Sequence, residues 1–344
     1  MLTRRVFKSA EPFFFETGGS LESMDIVYYT SDREYTKGEK VVWICHALTG
    51  NANPEDWWPQ MVGPGKFFDP GECYVVCAAM ICSPYGECGP FTTNPTTGKP
   101  WLLDFPRTTV RDIVASNIRV RKHLGIEKID ILVGPSIGGF QAVEWAVMEP
   151  DRVESAVFLA TDTRVSPLVT AFNESQRMAL RADATFLAAE SLDGGREGLK
   201  CARSMALISY RTVEGYNLTQ AETDPDVVFA DRAASYQRHQ GDKLIARGFD
   251  AYSYCYLSYA LDSHNVGRGR GGEAAALGTI KARTLVINIP TDMVFPAYRA
   301  RVFKEFIPGA EYRELPSIFG HDGFLIENEA LVSIFREFFN IPLQ

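Results

Sequence analysis

Ser136 stands in a Gly-x-Ser-x-Gly bracket that could make it a nucleophile. Gly134 and Gly138 flank it at two residues' distance, an apolar run at 129–133 precedes the bracket, and a helical pattern at 141–148 follows it. A strand that turns sharply into a helix packs its backbone closely around such a serine, so the two flanking positions need almost no side chain. The alternative is an ordinary glycine-rich turn. The flanking strand and helix patterns favour a nucleophile elbow.

A serine hydroxyl needs a base to take its proton, and His321 is the candidate among five histidines. It lies just after the strand-like run at 311–315, and Asp292 follows the strand-like run at 284–289. In doubly wound sheets that carry a nucleophile elbow, the chain order is nucleophile, acid, base. Asp292 alone would be interpreted as a turn aspartate that caps the following helix. The order Ser136, Asp292, His321 favours a catalytic triad.

Acyl transfer also needs two backbone N–H donors aimed at the oxyanion that develops in the transition state. One is predicted to come from Ile137, directly after the nucleophile. The other is predicted to come from Leu48, in the loop after an early strand. His46 in the same loop is interpreted as a structural hydrogen-bonding residue and not as a second base.

Alternating strand and helix patterns predict the scaffold that must position these residues. Strand-like apolar runs recur at 41–45, 74–80, 129–133, 153–161 and 284–289, and the helical patterns of the core occur at 110–124, 140–148 and 329–339. This alternation predicts an α/β protein with a largely parallel sheet. Between Thr161 and Lys281 only helical patterns occur, and the Gly-Arg-rich stretch at 267–272 is typical of a return loop. We therefore expect a core formed by residues 1–163 and 277–344, with a helical lid at 164–276.

Composition and charge exclude several classes of protein. The chain has 344 residues, of which 46% are hydrophobic, and its formal net charge of −8 is spread along the sequence. The size predicts a large core, and the acidic balance argues against nucleic-acid binding. No apolar run is long enough to span a membrane, and no signal peptide is evident. Seven cysteines without paired Cys-x-x-Cys spacing predict reduced thiols and no zinc site, in a soluble cytoplasmic protein.

Several stretches together resemble the homoserine O-acetyltransferase family of α/β-hydrolase-fold acyltransferases. They include His46-Ala47-Leu48-Thr49-Gly50, Gly134 to Gly139, Ile208-Ser209-Tyr210-Arg211, Val266 to Gly272 and Gly320-His321-Asp322. The resemblance covers the chain from about residue 40 to residue 330 on motif spacing. It implies an α/β-hydrolase fold, with a mostly parallel, doubly wound sheet and a helical lid inserted before the strand that carries the catalytic acid.

The resemblance also implies a reaction. Ser136 would take an acyl group, with acetyl-CoA favoured as the donor, and pass it to the hydroxyl of L-homoserine in a ping-pong mechanism of methionine biosynthesis. Asp322 and Arg211 would hold the zwitterionic acceptor, since an ammonium needs a carboxylate and a carboxylate favours a guanidinium. Without the resemblance, these two would be interpreted as a solvated loop aspartate and a surface helix arginine. The resemblance implies acyl-CoA as a co-substrate and no cofactor. It also implies a homodimer formed through the lid.

Several alternatives remain open at this point. The same triad could serve an esterase or thioesterase with water as acceptor, and the transfer could use succinyl-CoA or L-serine. A non-catalytic binding protein on the same fold is disfavoured by the complete triad order. The chain departs from the family pattern next to the nucleophile, at Pro135, Ile137 and Phe140. These departures bear on substrate choice, and nothing in the sequence explains Pro135.

Overall fold

A computed structural model describes residues 1–341 of the chain. Its strands β1 to β10 are Leu2–Ser9, Phe13–Phe14, Ser20–Leu21, Met24–Ser31, Val41–Ile44, Tyr74–Ala78, Ile129–Pro135, Val153–Leu159, Arg283–Asn288 and Glu311–Glu314. Its helices α1 to α13 are Pro54–Trp57, Val110–His123, Ile137–Met148, Pro167–Ala182, Ala184–Ala188, Arg196–Tyr210, Val213–Gln220, Arg232–Ala246, Ala251–Asp262, Glu273–Leu277, Ala297–Phe306, Gly323–Ile326 and Asn328–Phe339.

Eight strands form the central sheet, in the order β1-β4-β6-β5-β7-β8-β9-β10. The six strands from β6 to β10 in this order run parallel, and β4 and β1 extend one edge in antiparallel fashion. Alternate residues of β5 enter different cores, since Val41 and Trp43 pack in one cluster and Val42 and Ile44 in the other. Both faces of the sheet are therefore covered, which is why its strands have continuous apolar runs. The predicted doubly wound, largely parallel sheet is confirmed.

The sequence patterns did not predict the antiparallel edge formed by β1 and β4. Strand β1 carries Arg4, Arg5 and Lys8 and is mostly half-buried, because it has a neighbour on one side only. Charged residues are common on an edge strand, where they discourage pairing with other chains. Such a strand lacks the apolar run by which the inner strands were predicted.

Seven helices, α4 to α10, lie between β8 and β9. The chain enters and leaves the part of this segment that holds α4 to α9 at neighbouring points. The Val165 N–H donates to the His264 carbonyl at 2.9 Å, and the Val266 N–H donates to the Thr163 carbonyl at 3.0 Å. We call this pair of connections, residues 163–165 and 264–266, the lid stem. The predicted lid boundaries at residues 164 and 276 remain predictions. Residue 276 is the next-to-last residue of α10. Residues 342–344 of the predicted core lie outside the described residues.

Buried charges hold the return loop at 267–272 against α3. The side chain of Glu144 on α3 is 1% exposed and lies between Arg111, whose Nε is 3.2 Å from it, and Arg270 of the return loop. The His264 ring of the lid stem stacks on Phe140 of the same helix, with ring centroids 3.9 Å apart. The return connection of the lid is thus tied to the helix that begins directly after Ser136.

Candidate active site

Ser136 lies at the turn between β7 and α3, in a backbone conformation that serine rarely adopts. Its φ is 61° and its ψ is −125°. A Cβ atom on Gly134 would collide with the backbone of Gly138, and one on Gly138 would collide with the carbonyl of Cys45. Both glycines are therefore required by close backbone approach, as expected for a nucleophile elbow.

Pro135 ends β7 at a point where the sheet needs no N–H group. The Ser136 N–H donates to the Leu159 carbonyl on β8, whereas the Val133 carbonyl accepts from the Cys45 N–H on the other side. Alternate residues of a parallel strand bond to opposite neighbours, so the Pro135 nitrogen faces the β5 side. The β5 ladder ends at Ile44 opposite Val133, before it reaches Pro135. The proline therefore costs the sheet no hydrogen bond within the ladder.

The three residues predicted as a triad lie within hydrogen-bond distance of one another. His321 Nε2 is 2.9 Å from Ser136 Oγ, and His321 Nδ1 is 2.7 Å from Asp292 Oδ2. The other carboxylate oxygen of Asp292 accepts the N–H groups of Val294 and Phe295 at 2.7 and 3.2 Å. These bonds fix the orientation of Asp292, and Asp292 fixes the imidazole with Nε2 directed at the serine.

The surroundings of His321 favour its protonated form. Burial alone would lower the pKa of His321, but the charge and hydrogen bond of Asp292, with a further contribution from the charge of Asp322, outweigh it. The pKa of His321 therefore lies above its usual value of 6.5. A base of this kind accepts the serine proton readily and stays charged long enough to return it to a leaving group.

The two predicted oxyanion donors border the serine. Leu48 lines the same narrow cavity as Ser136, and Ile137 is the first residue of α3, where an N–H has no partner within its helix. In residues 1–341 neither backbone N–H donates to another protein group. Both are therefore available to a bound oxyanion, and the start of α3 adds the positive end of a helix dipole.

Arg211 and Asp322, the predicted acceptor-binding pair, lie beside the histidine and contact each other. Arg211 Nε donates to Asp322 Oδ2 at 3.0 Å, and the side chains are 20% and 17% exposed. This bond occupies one of the two carboxylate oxygens, and in residues 1–341 the terminal nitrogens of the guanidinium donate no hydrogen bond to a carboxylate. The pair can thus offer both a cationic and an anionic group to a zwitterion.

Two polar residues of the cavity were missed by the sequence reasoning. Asn173 and Gln176 lie on α4 with Ser136 across the cavity, and both are at least 95% buried. Asn173 Nδ2 donates to Asp262 at 2.8 Å, and the Tyr254 hydroxyl donates to Gln176 Oε1 at 2.6 Å. Their spacing of three residues matches one helix face. No motif marks them, so only the packing of α4 over the serine could show them.

The remaining buried histidines have structural contacts. His46 donates from Nδ1 to the Ala47 carbonyl and accepts the Met80 N–H at Nε2, with distances of 2.9 and 3.0 Å. Burial lowers the pKa of His46 to about 4, so the ring is neutral at pH 7. It holds the loop of Leu48 to the end of β6, which is the structural part that the sequence predicted for it.

Within the described residues, no set of three or more His, Cys, Asp or Glu side chains is grouped in a way that could hold a metal ion. In the same range, no helix combines the length and apolar character that crossing a membrane requires. All seven cysteines are free thiols, and Cys201 is the exposed one.

Comparisons with known proteins agree with this fold. The model of the alpha/beta hydrolase fold family matches residues 40–327. A solved esterase, E22, superimposes with a TM-score of 0.87 at 24% identity, over 98% of this chain and all of the other. The chain therefore belongs to the α/β-hydrolase fold family, as the predicted fold class required.

Sequence similarity identifies the subgroup. The homoserine O-acetyltransferase of Cyclobacterium marinum is 40% identical over 338 residues, which cover 98% of this chain and 95% of the relative. The solved homoserine O-acetyltransferase from Bacillus anthracis superimposes with a TM-score of 0.88 at 23% identity, over 100% and 99% of the two chains. The chain is a member of the homoserine O-acetyltransferase family. The structural match to an esterase is equally close, so the fold alone does not separate transfer from hydrolysis.

Proposed function

We propose that the chain transfers an acetyl group from acetyl-CoA to the side-chain hydroxyl of L-homoserine, a step of methionine biosynthesis. The observation that carries the proposal is the hydrogen-bonded series Ser136, His321, Asp292 at a nucleophile elbow. The family membership supports the reaction, because the relatives at 36–40% identity are homoserine O-acetyltransferases. The enzyme is accordingly an acyltransferase of the cytoplasm that uses acyl-CoA as a co-substrate.

In the first half-reaction, Ser136 becomes acetylated. His321 Nε2 takes the Oγ proton while Oγ attacks the thioester carbonyl, and the N–H groups of Leu48 and Ile137 stabilise the oxyanion. The carbon–sulfur bond then breaks, and the leaving thiolate of CoA takes the proton from His321. Asp292 holds the imidazole and stabilises its positive charge throughout.

In the second half-reaction, homoserine replaces CoA. Arg211 takes its carboxylate and Asp322 takes its ammonium, which brings the side-chain hydroxyl toward the acetyl-serine. His321 removes the hydroxyl proton, the homoserine oxygen attacks the acetyl carbonyl, and the proton returns to Ser136 Oγ as the serine leaves. Homoserine that is held in this geometry reacts at a high effective concentration, an advantage that water in the site lacks.

Hydrolysis by the same triad is the second candidate, because an esterase shares the fold closely. Acceptor dependence separates the two. We expect release of free thiol from acetyl-CoA to rise strongly when L-homoserine is added, with O-acetylhomoserine as the product. Equal thiol release with and without homoserine, together with free acetate, would overturn the transferase proposal.

Donor and acceptor choice are tested by a matrix of two donors and two acceptors. Acetyl-CoA and succinyl-CoA are each assayed with L-homoserine and L-serine. We expect the highest kcat/KM for acetyl-CoA with L-homoserine. A higher value for succinyl-CoA or for L-serine would replace the proposed substrate and keep the proposed mechanism.

A further inference from the structure

Arg203 on α6 carries a positive charge that no group of the described residues neutralises. Its side chain is half-buried, and within residues 1–341 it has neither a carboxylate within 4.0 Å nor a hydrogen bond. The contact that it makes is with an aromatic ring, because its guanidinium carbon lies 6.0 Å from the centre of the Tyr210 ring. A guanidinium that is partly removed from water without a partner lowers stability, and such a group is commonly retained for a ligand.

Arg203 lies on the side of α6 that faces the reacting residues. Tyr210 is seven residues further along α6, two turns away on the same face, and it lines the cavity of Ser136. The Tyr210 ring is 5.5 Å from the ring of His321. One aromatic ring therefore separates Arg203 from the triad, and Arg203 lies about 10 Å along the helix from the residue at the cavity.

A second arginine and a tyrosine complete the group on the outer side. Arg247, at the end of α8, is exposed and donates to the Thr49 carbonyl at 3.4 Å, next to Leu48. The hydroxyl of Tyr85 is buried and has no hydrogen-bond partner in the described structure. The Tyr85 ring packs edge-on against Phe249, two residues after Arg247, with ring centroids 5.8 Å apart. Burial raises the pKa of Tyr85, and the positive charges of Arg247 and Arg203 oppose that rise. We call Tyr85, Arg203 and Arg247 the arginine cluster.

Both arginines contact residues at the cavity of Ser136. Half-buried Arg203 lies against Tyr210, and exposed Arg247 donates to the Thr49 carbonyl beside Leu48; Tyr210 and Leu48 both line that cavity. Acyl-CoA has the matching distribution of groups, since a long uncharged pantetheine arm separates its reactive thioester from a set of phosphates. Guanidinium groups bind phosphate oxygens through paired hydrogen bonds, and a tyrosine hydroxyl can add another.

We propose that the arginine cluster is the subsite for the phosphates of the acyl-CoA donor. The inference rests on the proposed function, because it places the donor of that reaction. Binding energy from the phosphates, remote from the reacting carbon, would then hold the thioester against Ser136. The two positive charges would also attract the anionic donor to the mouth of the site.

The test compares donors with and without phosphates. Acetyl-CoA and S-acetylpantetheine carry the same thioester, and S-acetylpantetheine lacks the phosphates. For wild-type protein, R203Q, R203K and R247Q, kcat/KM is measured with each donor at a fixed homoserine concentration. The ratio of the two values isolates the phosphate contribution from any general damage to the site. R301Q serves as the matched control, because Arg301 is exposed on α11 without a carboxylate partner in the described residues.

We expect the ratio of kcat/KM for acetyl-CoA to that for S-acetylpantetheine to fall about tenfold or more in R203Q, since a charge-assisted hydrogen bond contributes that much. R247Q should lower the ratio less, R203K should restore part of it, and R301Q should leave it at the wild-type value. An unchanged ratio in both R203Q and R247Q would overturn the subsite. If wild-type protein accepts neither donor, the proposed function fails; if it accepts both with an unchanged ratio across the variants, only the subsite fails.

Discussion

Ser136 combines a strained backbone with a hydrogen bond to His321. Its substitution should show the effect of the hydroxyl on the reaction separately from any effect on folding. We expect S136A to lower kcat by about 10⁶, the loss that follows removal of a triad nucleophile. Steady-state transfer from acetyl-CoA to homoserine measures it. S116A is the control, because Ser116 is buried on α2 and its hydroxyl donates to the Ile113 carbonyl, away from the site. Turnover near the wild-type rate in S136A would rule out the acyl-serine mechanism.

Asp322 has a second effect that follows from charge alone. Its carboxylate contributes to the raised pKa of His321, after the stronger effects of burial and of Asp292. His321 must be neutral to take the serine proton, so kcat/KM rises as pH increases through that pKa, which lies above 6.5. D322N removes one raising charge, and the acidic limb of the profile should therefore move to lower pH.

The half-reaction with p-nitrophenyl acetate, without homoserine, measures this limb independently of acceptor binding. D151N is the control, because Asp151 is exposed and pairs with Lys281 at 2.8 Å on the surface. Its acidic limb should coincide with that of the wild type. A limb that moves to higher pH in D322N would contradict the proposed electrostatic effect.

Individual residues of the site differ in how far the sequence could predict their positions. That Ser136, Asp292 and His321 lie together was predictable, because each follows a strand of a parallel sheet, and the carboxyl ends of such strands meet at one edge. The fit of Pro135 could not be predicted, because it depends on where β5 ends relative to β7. The positions of Asn173 and Gln176 could not be predicted either, nor could the pairing of Arg211 with Asp322, since these contacts join segments far apart in the chain.

At the scale of elements, the return loop of the lid is attached to α3 through a buried carboxylate. Replacement of Glu144 would leave the guanidinium groups of Arg111 and Arg270 beside each other without their shared partner. Removal of one member of a buried ionic group costs several kcal/mol. We therefore expect E144Q to lower the free energy of unfolding by about 3 kcal/mol, measured by urea denaturation.

An exposed ion pair serves as the control for E144Q. Glu154 binds Lys128 at 2.5 Å on the surface, where the side chains are 55% and 53% exposed. E154Q should change the free energy of unfolding by about 0.5 kcal/mol or less. Similar losses in E144Q and E154Q would mean that the contact with the return loop does not contribute to stability.

Elements of the core were predicted better than those at its borders. The inner strands have apolar runs because both of their faces are buried, so β5 to β9 stood out in the sequence. Helix α3 begins at Ile137, three residues before the predicted pattern, because the elbow lets it start directly after the serine. Strands β1 and β4 pair with each other, and the sequence pattern of β1 alone did not indicate this pairing.

At the scale of the whole molecule, the lid carries exposed apolar side chains that a partner could cover. Val213 and Leu218 on α7 are 78% and 67% exposed, and Val228 and Phe229 beyond it are 84% and 86% exposed. Several large apolar side chains left exposed in one stretch of the lid are typical of an interaction surface. They support the homodimer that the family resemblance implies, formed between the lids of two copies.

We expect the protein to have about twice the chain mass of 38.3 kDa in light scattering after size-exclusion chromatography. The double variant V228D/F229D should have the mass of one chain. Y298D is the control, because Tyr298 is 69% exposed on α11 of the core, and it should remain a dimer. A wild-type mass of one chain would contradict the homodimer.

The lid stem also bears on the order in which we expect the chain to fold. Strands β8 and β9 are neighbours in the sheet, although residues 160–282 separate them along the chain. Their pairing closes a very long loop, and such non-local pairing is slow because the entropy of closure is lost before contacts compensate for it. Compaction of α4 to α9, with their ends joined at the stem, shortens that loop in effect. Formation of the helical segment is therefore expected to precede completion of the sheet, and with it the meeting of Asp292 and His321 with Ser136.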